Sequence, residues 1–169
     1  MSEENNPLYF SLAKSTLGHT ALAYAVEGVC LVVLGEEEGS VRERLRRLIA
    51  VGYEYALEVD VGDWHQALLE WIESPRSRLD LPLNLTGTAF QKRVWRVLQT
   101  IPPGETRSYS DIAQSLDNPK ASRAVAGACA ANRWALVIPC HRVICRDGSL
   151  SGFRWGDTWK QGLLEREAG

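Results

Sequence analysis

Cys140 and His141 are the side chains of this chain best suited to making and breaking covalent bonds. They sit in Pro139-Cys140-His141-Arg142-Val143, directly after the apolar stretch Ala135-Leu136-Val137-Ile138. An apolar stretch stopped by a proline and followed by Cys and His reads as a buried strand that carries a nucleophile to a cavity wall. A free thiol titrates near about 8.5, so the thiolate expected at position 140 needs a base or cationic surroundings. His141 is adjacent in sequence, but neighbouring side chains diverge in strands and helices alike. A bridging water is therefore the expected proton route. A carboxylate has to orient the imidazole. Glu167 is the first candidate and Glu165 the second, both in Leu163-Leu164-Glu165-Arg166-Glu167. Attack on an acyl carbon would give a thioester that hydrolyses and lets the protein turn over. Attack on an sp³ alkyl carbon would give a thioether, a poor leaving group, and would consume the protein.

A helix must lie just upstream, in Ala121-Ser122-Arg123-Ala124-Val125-Ala126-Gly127-Ala128-Cys129-Ala130-Ala131. Side chains this small allow close backbone approach, either to another helix or into the narrow minor groove of DNA. Arg123, the one long charged residue in the stretch, could fill the space left by an extruded base or simply project from a packed helix. A short helix, Asp111 to Leu116 capped by Ser110, precedes it across the turn Asp117-Asn118-Pro119. Asn118 as cap and Pro119 at the first helical position then start the second helix. The pair reads as a helix-turn-helix, a pattern that helical bundles also use. A DNA-facing helix favours alkyl attack on a modified base. A helix-turn-helix binder with an inert cysteine and a Cys-His hydrolase are the competing readings.

Charge supports an anionic partner for the second half. Residues 1–85 carry 7 Lys/Arg against 14 Asp/Glu, and residues 86–169 carry 12 against 7, so a net of −7 faces a net of +5. The hydrophobic fraction of 45 % suffices for a core. No apolar run approaches the roughly 18 residues of a membrane span. The polar, acidic start Met1-Ser2-Glu3-Glu4-Asn5-Asn6 lacks a signal peptide's features, so a cytoplasmic protein with free thiols is expected. Cys30, Cys129, Cys140 and Cys145 form no Cys-x-x-Cys, and His19, His65 and His141 are scattered, so no metal site is expected.

The first half reads as strands Tyr9–Lys14, Thr20–Val26, Val29–Leu34 and Tyr55–Val59 with helices over Val41–Val51 and Trp64–Glu73, the latter capped by Asp63. Arg42, Arg44, Arg46 and Arg47 read as a solvated helix face. An extended connection over 74–86 separates this half from a helical one that begins where Thr88 caps a helix ending at Pro102-Pro103-Gly104. The fold class is α/β (α+β) with two lobes, 1–84 and 85–169.

The pentapeptide at 139–143, with Arg123-Ala124-Val125-Ala126-Gly127 and Asn132 before it, closely resembles the O6-alkylguanine-DNA alkyltransferases. More narrowly it is similar to the C-terminal domain of the bacterial adaptive-response protein Ada. Gly87-Thr88-Ala89-Phe90-Gln91, Val94-Trp95, Gly104-Glu105-Thr106, Ser108-Tyr109 and Ser151-Gly152-Phe153-Arg154-Trp155-Gly156 fit the same pattern. The resemblance is dense over 86–167. It implies an N-terminal ribonuclease H-like lobe with an antiparallel sheet and a C-terminal lobe whose helix-turn-helix enters the minor groove. It implies that Cys140 takes the alkyl group of O6-methylguanine, and less readily of O4-methylthymine, irreversibly. His141 would be a water-mediated base, Glu167 its orienter and Asn132 the holder of the active-site turn. Tyr109 would neutralise the leaving base, and Val143 would offer a carbonyl to the exocyclic amine. DNA would be met by Arg123 as finger with Ser122, Ala124, Gly127 and Arg133. The pocket would be lined by Tyr109, Cys129, Ala135, Val143, Ser151, Phe153 and Arg154. The implied partner is double-stranded DNA bearing O6-alkylguanine, met by a monomer without cofactor, metal or membrane. Some relatives bind zinc in the first lobe or carry a second proline where Ala135 stands. The zinc-binding regulatory domain of the adaptive-response protein has no counterpart in these residues, so they do not imply inducer activity; a fragment of such a protein is the alternative reading.

Overall fold

Short turns ending at Gly18 and over Val26-Glu27 fold three apolar strands onto one another in sequence order: β1 (Leu8–Lys14), β2 (His19–Ala25) and β3 (Gly28–Gly35), paired antiparallel. The computed structural model describes residues 7–150 and 153–169. Helix α1 (Glu38–Gly52) carries the chain back across the sheet, so β4 (Ala56–Glu58) joins beside β1 and parallel to it. The order is β3-β2-β1-β4, and the sheet is mixed rather than wholly antiparallel. A helical crossover, unlike a hairpin turn, returns the next strand in the same direction.

Every residue of β3 is buried, although β3 is an edge strand. Its edge is closed by the rest of the chain. Val29 N–H donates to Pro82 O, Asn84 N–H to Val29 O, and Val32 N–H to Arg133 O, at 2.8, 3.0 and 2.8 Å. Gly28, at φ 136°, makes the first of these approaches possible; a Cβ there would stand 2.7 Å from Pro82 O. Two indoles finish the seal, with Trp134 Nε1–H donating to Val29 O and Trp159 Nε1–H to Gly35 O. The site-bearing half is thereby built onto the sheet's edge through one continuous apolar core.

Helix α2 (Asp63–Glu73) is pinned to the sheet by a buried histidine. Asp63 does not cap it: Gly62 is the cap residue, without a side-chain bond, and Asp63 is the first helical residue, where its charge suits the helix dipole. Thr20 Oγ1 donates to Ala13 O, so it accepts from His65 Nε2–H at 2.7 Å. The neutral ring then accepts from the Ser11 hydroxyl at Nδ1, at 2.6 Å. Burial lowers the His65 pKa from 6.5 to about 4. The unfolded chain takes up this proton below about 6.5 and the folded one only near 4, so stability falls with pH through that window, by about 3 kcal/mol in all. Urea unfolding at a series of pH values should show this slope, and His65→Gln should remove that share of it.

The second half supplies α3 (Ala89–Leu98), β5 (Arg107–Ser108), α4 (Tyr109–Ser115), α5 (Ser122–Ala130), β6 (Val143–Ile144) and α6 (Asp157–Ala168). Thr88 caps α3 in a reciprocal box with Gln91. Ser108, rather than Ser110, caps α4, because its hydroxyl reaches Asp111 N–H while the Asp111 carboxylate returns to Ser108 N–H. Pro119 does not begin α5. The chain first turns through Asp117, at φ 57°, and Ala121 N–H closes onto Asn118 O, which delays the helix to Ser122. Among the described residues no helix is long and apolar enough to cross a membrane.

Candidate active site

The stretch before Cys140 is buried but is not a strand. Leu136 turns at φ 74°, Val137 N–H bonds Ala135 O, Ile138 N–H bonds Trp134 O, and Ala135 bridges Ile138. These four apolar residues fold back on themselves and drop Cys140 into a single 3₁₀ turn, Cys140–Arg142. Asn132 holds this fold-back. Its Nδ2 donates to Ile138 O at 2.8 Å and reaches Cys140 Sγ at 3.2 Å, while its Oδ1 accepts from Trp134 N–H. Cys140 is 6 % exposed.

Helix α6 turns one face toward that turn, carrying Trp159, Lys160, Leu163 and Glu167. Glu167, not Glu165, meets His141, at 2.8 Å from Nε2. Glu165 instead accepts from Gln161 on the outer surface. Glu167 also takes Arg142 through Nε and Nη2, and Arg142 Nη1 donates to Ile101 O. Burial works against the Glu167 charge, but the bonds from His141 and Arg142 outweigh it and hold the pKa down at about 2. An ionised carboxylate accepts only, so the His141 proton is on Nε2. Burial lowers the His141 pKa against the pull of Glu167, so the ring is neutral. Its Nδ1 is then a bare lone pair, buried and without a hydrogen-bond partner among the described residues.

Burial raises the Cys140 pKa, opposed by the Asn132 bond and by the charges of Lys160 and Arg154. The thiol therefore waits protonated, and ionisation belongs to the reaction. There is no direct Cys140–His141 bond. A neutral imidazole beside a protonated thiol, with cations arranged to receive a thiolate, can ionise sulfur on demand.

Sequence reasoning missed two members of this site. Lys160 is 1 % exposed and donates from Nζ to Val143 O at 2.6 Å. Arg142 is the clamp on Glu167. The signal for Lys160 was its seven-residue spacing from Glu167, which puts both on one helix face.

The other expected residues fall as follows. Tyr109 opens α4, half-buried, its phenol pushed up to about 12 by burial and by Cys129, Cys145 and Cys140, so it stays a donor. Cys129 and Phe153 are buried, and Ala135 is fully enclosed in the fold-back. The Val143 carbonyl is already engaged by Lys160, leaving one lone pair. Arg154 extends over Trp155 and donates to Ala130 O. Ser151 lies outside the described residues. On α5, Arg123, Ala124 and Gly127 share the exposed face, and a Cβ on Gly127 would meet nothing within 4 Å. Ser122 and Arg133 are half-buried beside it. No group of three or more His, Cys, Asp or Glu able to hold a metal occurs among the described residues.

Comparisons with known proteins bear on the family and the overall fold. A family model described as 6-O-methylguanine DNA methyltransferase, DNA binding domain, matches residues 89–169. The bifunctional transcriptional activator/DNA repair enzyme Ada of Escherichia coli K12 is 40 % identical over 165 residues, 98 % of this chain and 47 % of Ada. The chain thus spans about half the length of that relative. The inducible methylated-DNA–protein-cysteine methyltransferase of Bacillus subtilis is 36 % identical over 170 residues, covering 98 % of this chain and 93 % of that protein. The structure of Mycobacterium tuberculosis OGT in complex with DNA aligns with a TM-score of 0.75 at 30 % identity, over 95 % of this chain and 92 % of that one.

Proposed function

The chain belongs to the methylated-DNA–protein-cysteine methyltransferase family, and from that premise we propose that it repairs DNA by moving the methyl group of O6-methylguanine, and less readily of O4-methylthymine, irreversibly onto Cys140. The observation that carries the reading is the His141–Glu167 pair, which leaves a bare, buried Nδ1 on the residue that follows a thiol held by Asn132. A water between Sγ and Nδ1 passes the thiol proton to His141 as the sulfur attacks the methyl carbon. The S–C bond forms, the C–O6 bond breaks, and its electron pair leaves on guanine. Tyr109 donates its hydroxyl hydrogen bond to a ring nitrogen of the departing base, and the proton that left sulfur by way of water and His141 ends on that base and makes it neutral. Lys160 and Arg154 stabilise the passing thiolate. The product is a thioether, so each molecule acts once.

The lesion reaches this pocket only outside the base stack. Helices α4 and α5 serve as a helix-turn-helix with the small-residue face of α5 in the minor groove. Ser122, Ala124, Gly127 and Arg133 contact DNA, and Arg123 takes the extruded base's place. Residues 1–84 form a ribonuclease H-like lobe, a reading supported by the strand order β3-β2-β1-β4, and residues 85–169 the reactive lobe. The protein works as a monomer on double-stranded DNA in the cytoplasm, where thiols stay reduced.

Intact-mass measurement after mixing with duplex carrying O6-methylguanine tests the proposal. The protein should gain one methyl group, on Cys140, and Cys140→Ala should gain none. Duplex binding with no mass gain would leave a helix-turn-helix binder instead.

A further inference from the structure

We infer that Arg44, on the helix packed against the N-terminal sheet, is a positioning residue for the Cys140 thiol, acting through Trp155, Arg154 and Asn132. The inference rests on the alkyl-transfer reading above. Arg44 does not belong to the solvated face that Arg42, Arg46 and Arg47 form on α1. It is half-buried, and its Nη1 donates to Leu34 O at 2.6 Å, which fixes the guanidinium at the end of β3. From there it lies 5.9 Å from the centre of the Trp155 ring, and Arg154 lies 5.0 Å from the same ring.

Trp155 is 3 % exposed, and its indole N–H has no hydrogen-bond partner among the described residues. An indole without a polar tether is held by its packing and by the cations against its ring. Arg44 is thus one of the cations that restrain its orientation. Arg154, in turn, donates from Nη1 to Ala130 O at 3.2 Å and toward Asn132 O at 3.5 Å. Asn132 is the residue whose amide reaches Cys140 Sγ. The contacts therefore run unbroken from α1, through the segment that precedes α6, to the reacting sulfur. Each link is a contact between named groups, so coupling has a physical path. The first half of the chain thereby contributes to a site whose reactive residues all lie in the second.

Losing Arg44 should let Trp155 and Arg154 shift, which weakens the cationic surroundings of the sulfur without touching DNA. Two rates distinguish this from a DNA contact: methyl transfer from O6-methylguanine in duplex, and from the free O6-methylguanine base. A third readout is the pH profile of Cys140 labelling by iodoacetamide, followed on the Cys140 peptide. Arg44→Ala should slow both transfers by a similar factor, roughly tenfold, and move the labelling midpoint to higher pH. Arg44→Lys, which restores a cation near the ring, should recover part of the loss. Arg44→Gln, which keeps a donor for Leu34 O, serves if the alanine variant does not fold, and should show the same losses. Unchanged rates and an unchanged pH profile would overturn the inference. So would a loss on duplex alone, which would make Arg44 a phosphate contact. Failure of the unsubstituted protein to take any methyl group would reject the alkyl-transfer reading, while the labelling profile would still decide whether Arg44 tunes the thiol.

Discussion

Replacing Lys160 with methionine should slow methyl capture on the order of a hundredfold, while leaving the fold as stable as before or more so. Lys160 is a buried cation whose hydrogen bond goes to the Val143 carbonyl rather than to a carboxylate. Burial lowers its pKa, and the charges that favour its protonation are those of Cys140, Cys145, Cys129 and Asp157. An enclosed ammonium costs stability, and methionine fills similar space without that cost. What the cation supplies appears only when Cys140 carries charge. At a buried site a fixed positive charge stabilises a forming thiolate far more than bulk water could. The measurement pairs a single-turnover rate with a urea unfolding curve. A slower and no less stable variant is the signature of a group kept for chemistry. A parallel loss of stability and rate would instead make Lys160 a packing element.

Local features of this fold were legible before its coordinates. The three first strands, the Thr88 cap and the short turns depend on residues within a few positions of one another. Cap choice failed where two acceptors lay close together: Ser108 and Ser110 both precede α4, and only the Asp111 carboxylate decides between them. The parallel attachment of β4 was not legible, because strand direction is set by where α1 leaves the chain. Nor was the fold-back at Leu136, since an apolar run reads alike whether it extends or turns. At the site, Cys140, His141, Asn132 and Glu167 could be named from residue types. Arg44 and Arg142 could not, because a charged side chain is solvated by default, and only a distant partner or a particular fold buries it; Lys160 was passed over on the same default, despite its spacing from Glu167. The motif names the sulfur, whereas its burial belongs to the whole core.

Glu167→Gln should produce the largest combined effect. Glutamine can still accept from His141 Nε2–H, but it cannot neutralise Arg142, which is 5 % exposed and would be left buried with Ile101 O as its remaining acceptor. Breaking a buried pair from one side typically costs about 3–5 kcal/mol. The rate should fall as well, on the order of a thousandfold, because an amide can present N–H to the ring and favour the tautomer with its proton on Nδ1. That proton would occupy the lone pair that is to receive the thiol's. A pH series separates the two losses. The Glu167 pKa is lowered from 4.5 to about 2 in the folded protein, so the carboxylate's contribution is fully present above about 4.5 and is lost as pH falls toward 2. The size of that acid-sensitive leg is about 3 kcal/mol. Urea unfolding should show it in the unsubstituted protein and not in Glu167→Gln, whose baseline is low throughout. If both proteins lose stability equally between pH 5 and pH 2, roughly the range over which this carboxylate titrates, the charge on Glu167 is not what fastens α6 to the turn carrying Cys140. The His141 tautomer would then need another cause.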